Sequence, residues 1–176
     1  VSLPDDDLVP LLVAEINEVD GVDVEDVRPL IGLLRDPRLD ALETAALLVS
    51  HESVDAVLDD LVSHAAHDFE ADWAAVVDGE AAVPLASVGA PPPAAWLGAF
   101  VAGSRSSMRV AAGDAGPDDV AWAPLPTAEH FIVLGRRGRP FRVRERRQLS
   151  ALARIADARW RELTERSALI SHPSAS

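Results

Sequence analysis

The chain has no cysteine, no tyrosine and no lysine among its 176 residues. The missing cysteine removes disulfides, thiolate nucleophiles, thiol redox switches and cysteine–zinc sites together. The missing lysine removes Schiff-base chemistry, and all 16 basic residues are arginine. Aromatic residues are scarce, at 5%. Long hydrophobic runs are lacking too. The longest uncharged apolar-rich stretch, Ala90 to Ser104, carries three prolines and is shorter than the ~20 apolar residues of a membrane span. No membrane partner is expected, and neither a signal peptide nor a lipidation motif is visible. The first residue is Val1 rather than methionine, so the natural start is expected to lie outside this sequence, which does not say what precedes Val1.

What is present fits an ordinary folded chain, with 48% apolar and 26% charged residues. Its length predicts one domain, or one domain plus a fragment of another. The net charge of −13 is unevenly placed: residues 1–80 hold 21 acidic residues and 3 arginines, residues 81–176 hold 8 and 13. The acidic half argues against nucleic acid as a partner, because phosphate contacts need a positive surface. Opposite charge on the two halves can pair within the fold or across a dimer, or simply mark two solvated faces.

Leu8, Leu11, Leu12 and Ile16 follow helical spacing behind Asp5, Asp6 and Asp7, and Asp20-Gly21 is a stop. The alternation of Val22, Val24 and Val27 predicts a short strand. Residues 28–38 form a linker, and 39–49 an alanine-rich helix. Behind a serine cap at Ser50 or Ser53, Val54, Val57, Leu58, Leu61, Val62, Ala65 and Phe69 draw the clearest amphipathic stripe in the chain. Residues 73–77 and 81–88 read as a hairpin about an Asp78-Gly79 turn, with Pro84 forcing its strand to an edge or bulge. A short apolar helix carries Trp96, Leu97 and Phe100. Strands follow at 108–112, 120–125 and 130–136, with a loop at 113–119. The final helix covers about 142–167, lined by Leu149, Leu152, Ala153, Ala156, Trp160 and Leu163.

Four constellations carry potential chemistry. His64 and His67 with Asp68 stand at metal-sharing spacing, but without the glutamate and the i+4 step of a hydrolase motif; solvent-facing histidines are the plainer reading, and no metal or other cofactor is expected. Asp55, Asp59 and Asp60 read as an exposed helix face. Arginines 136, 137, 139, 142, 144, 146 and 147 present either an anion site or a turn and helix start that balance acidic neighbours. Trp96, Phe100, Trp122 and Phe131 either surround a pocket between sheet and short helix or fill the core. Candidate ligand-binding residues are Ser87, Trp96, Phe100, Arg109, Trp122 and His130. No catalytic residue is assigned, and no serine-nucleophile elbow or phosphate loop is present.

The order helix, two strands, short helix, three strands, long helix predicts an α+β fold with a central antiparallel sheet flanked by N- and C-terminal helices. Over residues 52–78, 121–136 and 138–157 the chain resembles the GAF family of small-molecule sensor domains. Phe141, Glu145, Leu149, Leu152 and Ala153 are similar to the ending common in that family. The cyclic-nucleotide motif of the family is absent, and no cysteine could carry a bilin. Residues 1–29 resemble the second half of an ACT domain, a unit of amino-acid-linked regulation. An ACT half before a GAF domain looks like an actinobacterial regulatory protein. The implied organisation is a partial ACT-like segment at 1–29, a linker and connecting helix at 30–50, a GAF-like domain at 51–167 and a flexible tail at 168–176.

These resemblances imply a cytoplasmic, non-enzymatic regulatory module. It would bind a small metabolite or amino acid and couple it to helix or dimer rearrangement, with a homodimer joined through the stripes on helices 53–69 and 144–166. A ligand-free assembly module is the alternative, its signal coming from a partner protein or the upstream half.

Overall fold

The computed structural model describes residues 8–22, 24, 27, 37–104 and 119–171, with the backbone alone at 37, 38, 40 and 171. The chain divides into two compact units, Val1–Arg35 and Asp36–Ser176. In the first, helix α1 spans Val9–Asn17 with proline in its opening turn, and none of its residues is buried. The Val24 N–H donates to the Asn17 side chain at 2.9 Å. No strand is found at the described positions 22, 24 and 27; the rest of that predicted strand lies outside the described residues.

The second unit runs α2 (Pro37–Ser50), α3 (Val54–Asp68), β1 (Trp73–Asp78), β2 (Pro84–Gly89), α4 (Ala94–Ser104), β3 (Val120–Leu125), β4 (His130–Gly135) and α5 (Val143–Ser171). The four strands form one antiparallel sheet in the order β2-β1-β4-β3. The unit starts before residue 51 because α2 is part of its core, with Thr44 and Leu48 buried.

Residue chemistry sorts the strands. β1 and β4 are central and covered on both faces, and both are nearly unbroken apolar runs. β2 is an outer strand with Ala86 alone fully buried, which is where a proline without an N–H is tolerated. The predicted bulge is there too, as a register shift at Val76/Val77 opposite Pro84. The connection between β1 and β2 is longer than the predicted two-residue turn. Asp78 Oδ1 accepts from the N–H groups of Glu80 and Ala81 at 2.8 and 2.7 Å, and Ala82 takes a positive φ of 57°. The carboxylate thus builds a side-chain turn that carries the loop to Val83. These two bonds, Ala81's first, hold the Asp78 carboxyl below the usual carboxylate range.

Alternation along the strands separates two apolar layers. Ala74, Val76, Ala86, Ala121, Ala123, Ile132 and Leu134 face α2, α3 and α5. Ala75, Val77, Val120, Trp122, Phe131 and Val133 face α4. Ser53 caps α3, accepting from the Ala56 N–H, and the α3 stripe is buried as a block. So is the α5 stripe of Leu149, Leu152, Ala153, Ala156 and Leu163. This corrects one expectation: both stripes are spent on the core of a single chain, at roughly 2 kcal/mol for each large side chain, and cannot be the faces that join a dimer. The final helix also runs to Ser171, so residues 168–171 are helix rather than tail, there being no breaker in 165–171.

Candidate functional site

The face of the sheet toward α4 gathers aromatic rings. Trp96 and Phe100 of α4 stack with centroids 5.2 Å apart and planes within 9°. Phe100 stands edge-on to Trp122 of β3 at 5.0 Å, and Trp96 edge-on to Trp73 of β1 at 6.4 Å. The result is a continuous run, Trp73–Trp96–Phe100–Trp122. Trp122 is fully buried, Phe100 and Trp73 are half-buried, and Trp96 is 41% exposed.

Two glycines permit this packing. Gly135 is the register partner of Trp73, and a Cβ there would land on the indole. Its bare backbone lets the ring lie across β4, an aromatic over a glycine. On the helix side, a Cβ at Gly98 would stand 2.7 Å from the Ala82 Cβ, so α4 rests directly on the β1–β2 loop. Gly135→Ala is expected to cost about 1–3 kcal/mol by overpacking and to move the tryptophan emission as Trp73 is displaced. Thermal unfolding followed by fluorescence checks this; an unchanged midpoint and spectrum would contradict the placement of Trp73.

Of the sequence-predicted ligand residues, Trp96, Phe100 and Trp122 come together. Ser87 pairs with Ala75 and so shares their face, as an exposed residue near the outer edge of the sheet. His130 does not join them. It alternates with Phe131, so it stands with Ile132 and Leu134 on the opposite face, edge-on to Trp160 of α5 at 6.0 Å. Its Nδ1 is buried and finds no hydrogen-bond partner among the described residues. Arg109 lies outside the described residues. Trp73 is the site residue that the sequence reading missed. Its parity with Ala75 and Val77 was the available signal.

The arginine cluster resolves into separate duties. Arg136 is buried, and all five of its N–H groups are used. Nε donates to the Arg139 carbonyl, Nη1 to the Phe69 carbonyl and Glu145 Oε1, and Nη2 to the Pro140 carbonyl and Glu145 Oε2, at 2.7–3.0 Å. Its guanidinium lies 4.1 Å over the Phe141 ring. Glu145 also accepts from the Arg142 N–H at the start of α5, as a capping-box glutamate does. This helix start already holds its own carboxylate, which disfavours an external anion there. Arg146 is buried as well, donating to the Val120 carbonyl at 2.9 Å with its guanidinium 5.7 Å from the Trp122 ring.

The histidine motif divides in the same way. His64 Nδ1 lies 3.5 Å from the Thr44 hydroxyl, which donates to Asp68 at 3.0 Å, while His67 is exposed. Among the described residues no group of three or more His, Cys, Asp or Glu side chains is placed to hold a metal ion. Asp157, buried on α5, accepts from the N–H groups of Thr127 and Ala128 and fixes the β3–β4 turn. Arg159 donates to the His51 carbonyl and pairs with Glu162, which also meets Arg166. These arginines, Arg159 first, hold the Glu162 carboxyl below its ordinary range.

One solved structure is similar in fold. The GAF domain of an Acinetobacter phosphoenolpyruvate-protein phosphotransferase superposes with a TM-score of 0.53 at 15% sequence identity, over 81% of this chain and 100% of that one. The fold is GAF-like. No family model matches the sequence. No curated protein matches it significantly. Among the described residues, no helix of this GAF-like chain is long and apolar enough to cross a membrane.

Proposed function

We propose that the GAF-like unit is a non-enzymatic regulatory module that takes a small, largely apolar metabolite on the α4 side of its sheet. The observation that carries this reading is the run of four rings in which Trp96 is exposed. Aromatic walls with few polar groups suit a small planar ligand, and Ser87 is a polar group on that face. A route from this face to α5 exists through Arg146, which touches Trp122 and belongs to the long helix. Occupancy that shifts Phe100 and Trp122 would bias α5 by that route. An ACT-like reading of residues 1–29, and with it amino-acid-linked control, belongs to the same proposal.

The second reading, a ligand-free assembly module, draws on the complete burial of Trp122 behind Phe100. A thermal-shift screen with planar metabolites and amino acids separates the two. Under the first reading a ligand raises the midpoint by mass action and quenches tryptophan emission saturably. Trp96→Ala is expected to abolish that quenching, while Trp160→Phe, on the other face, leaves it intact. A quenching ligand insensitive to Trp96→Ala, or a folded protein with no hit, favours the assembly reading.

A further inference from the structure

The chain holds the dipeptide Asp-Gly twice, at Asp20-Gly21 after α1 and at Asp78-Gly79 after β1. In this dipeptide the side-chain carboxyl carbon and the next backbone nitrogen meet most easily, because glycine has no Cβ to obstruct the approach and its backbone turns freely. What holds those two groups therefore decides whether they react.

At Asp78-Gly79 both groups are engaged. The carboxylate accepts from the Glu80 and Ala81 N–H groups at 2.8 and 2.7 Å, and the Gly79 N–H donates to the Glu129 carbonyl at 3.0 Å. The strand ladder closes over the same loop, with the Asp78 N–H bonded to the Val83 carbonyl and the Ala82 N–H to the Asp78 carbonyl. At Asp20-Gly21 neither group is engaged by the described residues. Both residues are exposed, Gly21 has a φ of 79°, and nothing lies within 4 Å of the place a Cβ would take. A single backbone bond, Val22 N–H to the Val19 carbonyl at 3.0 Å, closes the turn around them.

We infer that Asp20 is a site of spontaneous covalent modification, isomerising to isoaspartate, while Asp78 is protected by its loop. The Gly21 nitrogen attacks the Asp20 side-chain carbon. A C–N bond forms, and the nitrogen's proton and the carboxyl hydroxyl leave as water, giving a five-membered imide. Water then adds back. Opening at the side-chain carbonyl restores aspartate, and opening at the main-chain carbonyl leaves the chain running through the side-chain carbon with a free α-carboxylate. The product has an extra carbon in the backbone between Asn17 and Val24, whose side-chain oxygen and N–H are bonded at 2.9 Å. That tie at the end of α1 is expected to loosen. The inference is independent of the ligand on the α4 side.

The 176-residue chain, incubated for weeks in mildly acidic buffer, tests it. Peptide mapping with electron-transfer fragmentation identifies isoaspartate by position at unchanged mass. In the folded chain, accumulation at position 20 is expected to exceed that at 78 by about tenfold or more, since the held loop reacts only when it opens. In urea the two sites are expected to react at comparable rates. Gly21→Ala is expected to slow the reaction at position 20 severalfold and leave position 78 unchanged. Comparable accumulation at 20 and 78 in the folded chain, or isoaspartate at 20 in urea alone, overturns the inference. Unchanged hydrogen exchange at the Val24 N–H in the modified chain overturns the consequence for α1.

Discussion

Arg136→Met is expected to lower the unfolding free energy by about 3–5 kcal/mol, because it leaves a carboxylate and three backbone carbonyls without their common donor. In a chain of this size that corresponds to a fall of about 10 °C or more in the midpoint. The guanidinium joins the end of α3, the turn after β4 and the start of α5, so all three should loosen together. Arg137→Ala, at an exposed side chain one residue away, is expected to change stability by less than about 0.5 kcal/mol. A double variant Arg136→Met/Glu145→Leu should recover part of the loss, since the unpaired carboxylate is gone, but not the share owed to the carbonyls. Urea titration with far-ultraviolet dichroism measures all three. An Arg136→Met chain as stable as Arg137→Ala would show that the five-bond junction contributes nothing.

Trp122→Ala is the second large effect, about 3–5 kcal/mol, the range for deleting a fully enclosed indole. It removes the ring on which Phe100 stands and the surface beneath Arg146, so α4 loses its seat on the sheet. Trp122→Phe keeps an aromatic edge contact and is expected to cost distinctly less. Trp96→Ala, at a ring 41% exposed, should cost about 1 kcal/mol or less. If Trp122→Ala and Trp96→Ala were equally mild, the α4 layer would not be a packed core.

Much of this architecture could be read from residue order. The i, i+3, i+4 spacing of Val57, Leu58, Leu61 and Val62 placed α3, and the apolar run HFIVLG announced a central strand, because burial on both faces demands apolar residues at every position. The α+β class and antiparallel sheet followed from element order. What failed did so for identifiable reasons. His130 shares Phe131's strand but not its face, because neighbours in a strand point to opposite sides, and that alternation is legible in the sequence. The hairpin loop departs from the two-residue turn that Asp78-Gly79 predicts because Asp78 bends the chain through its side chain. The seven arginines look alike in the sequence, and only tertiary contacts distinguish Arg136, with every donor used, from exposed Arg137. The use of α2 was hidden for a similar reason. Its apolar residues lie on both sides, Leu48 inward and Leu42 outward, so no single stripe marked which side the core would take.

The last buried residue of α5 is Leu163, and residues 164–170 are all exposed. An α-helix rises ~1.5 Å per residue, so its final two turns stand about 12 Å clear of the hydrophobic layer as a stiff overhang. The whole helix of 29 residues is a rod about 43 Å long. Its grip on the core ends at Leu163, so a bend of about 10° there would sweep the tip through roughly 2 Å. The overhang is therefore a short, stiff lever beyond the core rather than a rod that pivots from its base.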